Sequence, residues 1–198
     1  MTQKPRVEVE IKLPVTSKRT VLARLRASGF RLARRRTLEV NWILDDARGR
    51  LQRAGRVLRL RRSGTQWILT AKGAARPGRH KRRAEVETAV GDGPACRDLL
   101  HMLGYEAGFV YERYRTAYRQ AGGGEAVLDE TPLGIFLELE GSAAWIDRTA
   151  KVLGYRREQY ILASYAGLFK AWVARSGSRA RQFTFAALAS PRRQPKRG

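Results

Sequence analysis

Apolar and charged residues alternate along Val7-Glu8-Val9-Glu10-Ile11-Lys12-Leu13, and again along Phe136-Leu137-Glu138-Leu139-Glu140. A period of two over that length predicts a β-strand, whose successive side chains point to opposite faces. The same signature, bounded by turn residues, predicts strands over residues 7–13, 38–44, 56–62, 66–72, 81–90, 108–120, 125–129 and 134–140. Residues 56–62 and 66–72 make a hairpin about Ser63-Gly64-Thr65, and Gly122-Gly123-Gly124 turns residues 108–120 back into 125–129. Asp45-Asp46-Ala47-Arg48-Gly49 reads as a turn, and residues 73–78 as a loop.

Elsewhere the period is helical. Val21, Leu22 and Leu25 fall on one face of a helix that Thr16 or Ser17 caps and Gly29 stops. Leu99, Leu100 and Leu103 mark a shorter helix ending at Gly104. Ser142 caps a third, which ends at Gly154, and a fourth is predicted over residues 158–174. Three of the stops are followed by an aromatic residue, at Gly29-Phe30, Gly104-Tyr105 and Gly154-Tyr155, which points to a repeated helix–strand unit.

The polar positions of the strands carry charge in pairs. Glu8/Glu10, Glu85/Glu87 and Glu138/Glu140 each place two carboxylates on one face, about 6.8 Å apart along the strand. A single pair of this kind is the solvated face of an antiparallel sheet. Three pairs in a chain with 18 acids against 40 Lys and Arg point instead to a hard-cation site, because Mg²⁺, Mn²⁺ and Ca²⁺ prefer carboxylate oxygens. The cations keep the same period: Arg59 and Arg61 share a face, Arg113 and Arg115 share another, Lys72 ends its strand, and Arg83 precedes Glu85.

So many strands with so few helices predict an antiparallel sheet, and closing it into a barrel removes its edges. The charged faces then point either outward to solvent or inward to line a tunnel, and composition leaves both open. The apolar face of residues 7–13 must be buried, and helices packed outside the barrel could cover it. A dry, empty lining of charge is heavily penalised. Water, metal ions and a polyphosphate inside would compensate it.

Composition narrows the field further. The 198 residues, 43% of them hydrophobic, suffice for one substantial core. A formal charge of +22 selects polyanionic partners. No apolar run approaches the ~20 residues that span a bilayer, and no membrane partner is expected. The first residues show no signal peptide, and the lone Cys96 permits no internal disulfide; both favour the cytoplasm. His80 and His101 have no ligand partner at useful spacing. After Glu158 there is no acid. Residues 176–198 read as a basic, flexible tail able to make a weak polyanion or nucleic-acid contact, which leaves residues 1–175 as the domain.

Glu8-Val9-Glu10-Ile11-Lys12 resembles the Glu-x-Glu-x-Lys signature of the CYTH domain, also called the triphosphate tunnel metalloenzymes. Leu58-Arg59-Leu60-Arg61, Leu69-Thr70-Ala71-Lys72-Gly73, Arg83-Ala84-Glu85-Val86-Glu87, Arg113-Tyr114-Arg115, Ala126-Val127-Leu128-Asp129 and Phe136-Leu137-Glu138-Leu139-Glu140 follow in family order, so the resemblance covers about residues 7–169. The family includes class IV adenylate cyclases and thiamine, inorganic and mRNA-capping triphosphatases. The resemblance implies an α+β fold: an eight-stranded antiparallel closed barrel, forming a tunnel, with helices packed outside. It implies that Glu8, Glu10, Glu138 and Glu140 hold Mg²⁺ or Mn²⁺, with Asp129 and Glu85 or Glu87 assisting. It implies that Lys12, Arg59, Arg61, Lys72, Arg83, Arg113 and Arg115 bind phosphate, and that Lys12, Arg59, Lys72 and Arg115 act in catalysis. Ala163-Ser164-Tyr165-Ala166-Gly167-Leu168 is similar to a terminal segment of the adenylate cyclase branch. Arg113 stands where many members have Lys, so a point charge becomes a planar fork.

The expected function is therefore that of a divalent-metal-dependent enzyme acting on a small triphosphate, as monomer or homodimer. Hydrolysis of inorganic, nucleoside or thiamine triphosphate stands ahead of cyclisation of ATP to cyclic AMP, because the sequence displays no base pocket. A non-catalytic module for polyphosphate or RNA is the rival from another class. Such a module gains nothing from glutamates on its binding face.

Overall fold

In β1 (Arg6–Val15), Ile11 and Leu13 are fully buried on one face, while Glu8, Glu10 and Lys12 are buried on the other. A strand with both faces covered needs a layer on each side. The computed structural model, which describes residues 6–189, supplies helices on one side and the interior of a closed barrel on the other. The remaining strands are β2 (Arg31–Asp46), β3 (Val57–Ser63), β4 (Gln66–Lys72), β5 (Lys81–Val90), β6 (Tyr105–Arg119), β7 (Glu125–Thr131) and β8 (Gly134–Glu140). All neighbours are antiparallel, and the order around the barrel is β1-β5-β4-β3-β2-β6-β7-β8.

The main core lies outside this barrel. Ile11, Leu13, Ala126, Leu128, Leu137 and Leu139, from β1, β7 and β8, pack against Val21 and Leu25 of α1 (Lys18–Ala27) and Ile146 and Ala150 of α4 (Ala143–Val152). Each such Leu or Ile contributes about 1.5–3 kcal/mol by leaving water. That burial fixes the apolar faces outward and commits every charged face of β1 and β8 to the interior. Ser17 and Ser142 cap α1 and α4 as expected, accepting from Thr20 N and Trp145 N.

A second, aromatic cluster fills one end of the barrel. Tyr165 and Phe169 of α5 (Tyr165–Ser176) pack with Tyr111 and Phe183, and Ile43, Phe109, Leu133 and Phe136 join them. The expectation of a flexible tail from residue 176 does not hold through residue 189. Phe183 is fully buried, its N–H donates to Val110 O at 2.9 Å, and its carbonyl accepts from Glu112 N at 3.0 Å. The short helix α6 (Phe185–Ala189) follows. Phe183 is the buried anchor of this segment, Phe185 packs near Tyr114 with ring centroids 5.4 Å apart, and Leu188 joins the aromatic cluster. Residues 190–198, with four of the six Lys and Arg of the expected tail, lie outside the described residues.

Three further differences are local. β2 begins seven residues before the predicted 38, because its Arg-rich first half pairs with β6 alone and has no apolar face to mark it. The helix predicted over residues 158–174 starts only at Tyr165, capped by Ser164; before it come a 3₁₀ turn (Arg157–Gln159) and Ile161, which pairs with Lys12. Leu99 and Leu103, read as the apolar face of α3 (Gly93–Met102), are 63% and 72% exposed. The single-turn helix α2 (Arg50–Arg53) follows the Asp45–Gly49 turn; Asp45 accepts from Leu51 N and Gln52 N. The three glycine stops share a left-handed conformation, with φ of 80°, 82° and 81° at Gly29, Gly104 and Gly154. The first two lead into β2 and β6, which are neighbours, while the third leads to the 3₁₀ turn instead of a strand.

Candidate functional site

The barrel encloses a cavity of about 840 Å³. Its lining comes from the inward positions of the strands, and charge is sorted around it. On the β1/β8 wall, register places Glu10 opposite Glu140 and Lys12 opposite Glu138. Across the β1/β5 seam, Glu10 faces Lys81 and Glu8 faces Arg83. Lysines stand between the carboxylates: Lys72 Nζ lies 2.7 Å from Glu8 and 3.0 Å from Glu85, Lys81 Nζ 2.7 Å from Glu10, and Lys12 Nζ 3.4 Å from Glu10 and 3.1 Å from Glu138. Burial works against Glu138 ionising, but Lys12, Arg115 and Arg113 hold it well below the usual carboxylate range. Glu140 goes the other way. Burial, then the charge of Glu8, pushes it up to about 7 against the pull of Arg6, with Glu10 and Glu85 adding to the rise.

The β2/β6/β7 wall is built on arginine. Arg113 donates to Glu39 through Nη2 at 2.8 Å and Nε at 3.0 Å, and to Asp129 through Nη1 at 2.9 Å. Arg115 grips Asp129 with two bonds of 2.7 and 2.6 Å and also contacts Glu138. Tyr165 OH donates to Asp129 at 2.7 Å, which ties α5 to this wall. Burial and mutual repulsion oppose the charge on Arg113, yet Asp129 and Glu39 keep its proton bound more tightly than usual.

The third wall, from β3 and β4, carries cations with fewer counter-ions. Arg59 Nη2 donates to Thr70 Oγ1 at 3.1 Å but stays 3.9 Å from both Glu85 and Glu87. Arg61 Nε donates to Asn41 Oδ1 at 3.1 Å. Burial, then Arg59, draws Arg61 down to about 9 despite Glu39. Tyr111 lies among these cations; burial would raise its phenol, but Arg113, Arg59 and Arg61 pull it down to about 8. Lys81 is likewise lowered to about 8, by burial and then Lys12, against Glu10.

Two features say what such a cavity accepts. Arg34 Nε, Arg59 Nε, Arg83 Nε and Asn41 Nδ2 are buried N–H groups without a hydrogen-bond partner. Unmet donors in a cationic wall fit the oxygens of phosphate. Glu140 is raised by burial first and then by the nearby charge of Glu8 and Glu10, and a hard divalent cation there would offset both. As the side chains stand, no three carboxylate, imidazole or thiol residues form a ready ligand set among the described residues. The lysines hold those positions instead.

Of the residues singled out from sequence, Glu8, Glu10, Glu85, Glu87, Glu138, Glu140, Lys12, Arg59, Arg61, Lys72, Arg83, Arg113 and Arg115 all line the cavity. Glu87 sits with its side chain 49% exposed. Asp129 differs from its expected place beside the metal carboxylates. It is fully buried behind Arg113 and Arg115, with its oxygens committed to them and to Tyr165. Glu39, Asn41, Lys81 and Tyr165 were not identified from sequence. Glu39, Asn41 and Ile43 do keep period two along β2, and Lys81 stands two before Arg83, so that signal was present. Tyr165 lies in the segment Ala163–Leu168 matched above to the adenylate cyclase branch, but its place in this site depends on the return of a distant helix.

Residues 6–160 match the CYTH domain family. A provisionally named adenylate cyclase of Methanocaldococcus jannaschii is 29% identical over 150 residues, which cover 74% of this chain and 83% of that protein. Among solved structures, a provisionally named adenylate cyclase of Vibrio parahaemolyticus aligns with a TM-score of 0.73 at 19% identity, covering 84% of this chain and 99% of that one. A Hippeastrum protein, named as a provisional adenylyl cyclase with a dominant triphosphatase activity, aligns with a TM-score of 0.63 at 17% identity, covering 84% and 95%.

Proposed function

The chain belongs to the CYTH domain family, a family of divalent-metal-dependent enzymes acting on triphosphates, and on that premise we propose that it hydrolyses the terminal phosphate of a triphosphate with Mg²⁺ or Mn²⁺. The observation that carries this reading is the pairing, within one cavity, of orphaned arginine donors with a crowded set of glutamates. A pure polyanion binder has use for the first and none for the second.

Glu8, Glu10, Glu138 and Glu140 would hold the divalent ion, which when bound supplies positive charge to polarise a phosphoryl oxygen. Arg59, Arg61 and Arg83 offer N–H groups to phosphate oxygens from one side, and Arg113 and Arg115 do so from the other. Asp129 and Glu39 keep the latter two guanidiniums aimed and charged, so that donors are already oriented when charge develops on the transferring group. Lys12 and Lys72 pair with Glu138 and Glu8, and would be free to meet phosphate oxygens where a divalent ion took those carboxylates.

Cyclisation of ATP is the second reading. The aliphatic residues Ile43, Val57 and Ile68 beside Arg59 favour it, since they offer an apolar surface to a base. Product analysis with ATP and tripolyphosphate, each with Mg²⁺, Mn²⁺ or chelator, decides. Phosphate release from both supports hydrolysis, cyclic AMP with pyrophosphate supports cyclisation, and binding without metal-dependent turnover sinks both. The lone Cys96 supports a reducing compartment, the cytoplasm, as the place of action. No helix of the described residues is long and apolar enough to cross a membrane.

A further inference from the structure

Beside β1, the barrel wall is assembled from two separate chain segments. β5 pairs with β1 only as far as Lys81, opposite Glu10. Beyond that point Ile161 takes its place: Ile161 N–H donates to Lys12 O at 2.8 Å, and Lys12 N–H donates to Ile161 O at 3.0 Å. The residues flanking this junction, His80 and Tyr160, meet on one carboxylate. His80 Nε2 lies 2.8 Å from Asp147 Oδ1, Tyr160 OH donates to the same oxygen at 3.1 Å, and Arg157 Nη2 donates to Oδ2 at 3.1 Å. His80 is only 8% exposed, and its ring lies 6.1 Å from that of Tyr160. Asp147 belongs to α4. The knot therefore fastens α4, the segment after it, and the loop that delivers β5.

Its consequence lies inside the cavity. Lys81 is the next residue after His80, and its Nζ sits 2.7 Å from Glu10 Oε1. Lys12, whose backbone carries Ile161, contacts the same oxygen at 3.4 Å. A tunnel cation is effective only when its donor is held to a fraction of an ångström, and that precision comes from the residues that lock its backbone. The β4–β5 connection carries Gly73, Pro77 and Gly78 and joins Lys72 to Lys81, so its placement governs two of the three lysines among the glutamates.

We infer that His80 is a positioning residue of the cavity: held by Asp147 and Tyr160, it sets the Lys81 ammonium, and through it Glu10, for a bound phosphate chain. The inference rests on the triphosphate reading of the cavity. It is tested by titration calorimetry with tripolyphosphate in chelator, where no turnover occurs. His80→Ala and Lys81→Ala should each weaken binding about tenfold, and the double variant should bind no more weakly than Lys81→Ala, because the two substitutions remove one interaction. His80→Gln, whose amide can still donate to Asp147, should stay within about twofold of the native chain. Should His80→Ala not fold, Tyr160→Phe enters the same cycle, with a loss of about threefold. Losses that multiply in the double variant overturn the inference. So does a His80→Ala chain that melts earlier yet binds as tightly as the native one. A native chain that binds tripolyphosphate neither in chelator nor with Mg²⁺ overturns the triphosphate reading itself.

Discussion

Replacing Glu39 by Gln removes one charge, and almost no volume, from the centre of the arginine wall. Glu39 is fully buried and contacts Arg113 at 2.8 Å, Arg34 at 3.2 Å, Arg61 at 3.7 Å and Arg115 at 3.8 Å. Taking one partner from a buried ion pair costs about 3–5 kcal/mol, because the other charge stays desolvated and uncompensated. Asp129 and Glu138 still serve Arg113 and Arg115, which places the cost near the lower figure, about 3 kcal/mol. In a chain of this length each kcal/mol moves the thermal midpoint by about 2–4 °C, so the expected loss is roughly 6–12 °C. The sign of a second effect is more telling. The variant's wall carries an extra unbalanced positive charge, so an anion that fills the cavity should restore more stability to it than to the native chain. Thermal melts in chelator, with and without tripolyphosphate, read both quantities. A midpoint within about 2 °C of the native one, or a ligand-induced shift no larger than the native shift, would show that Glu39 does not balance the wall.

Glu140 predicts a pH dependence. Its carboxyl is raised from 4.5 to about 7, so the folded chain holds a proton that the unfolded chain has released, and the resulting stability is full below pH 4.5 and lost as pH rises through 7. The stability of the native chain relative to Glu140→Gln should therefore fall by about 2–3 kcal/mol between pH 5 and pH 8; equal differences at both values would refute the shift. Arg59→Ala should weaken tripolyphosphate binding on the order of 10²-fold, whereas Arg26→Ala, on the exposed face of α1, should leave it unchanged; equal effects would mean that net charge alone attracts the ligand. Phe183→Ala should cost about 3–5 kcal/mol, seen as a fall in urea midpoint, and an unchanged midpoint would return residues 177–189 to the status of a tail.

Most of the strands could be read in advance because a two-sided strand writes its period into the chain. β1, β5 and β8 carry alternation, β4 is marked instead by the apolar run Trp67-Ile68-Leu69, and the predicted bounds of all four differ little from those observed. The first half of β2 has no such record: only Arg31, Leu32 and Arg34 find partners on β6, with register shifts between them and Thr37, so no regular alternation distinguishes strand from loop. Of the site, the paired charges were legible for the same reason as the strands. The residues that aim them were harder. Glu39 keeps the period but has no same-charge neighbour two residues away, whereas Lys81, two before Arg83, has one that is masked by the continuous run Lys81-Arg82-Arg83.

The sequence by itself determined which residues share a face, since the alternation of β geometry depends only on the backbone. It thereby determined that Glu8 and Glu10, or Arg113 and Arg115, would act together. It could not determine whether those faces look out or in, because the local pattern is identical in both cases. Tertiary structure decided that by placing α1 and α4 on the apolar sides of β1, β7 and β8. It also decided the partners of each charge. Asp129 has the same sequence signature as a metal carboxylate, yet it is held by Arg113, Arg115 and Tyr165, groups 16, 14 and 36 residues away. Such contacts depend on barrel register and on where α5 returns, and no local signal encodes either one.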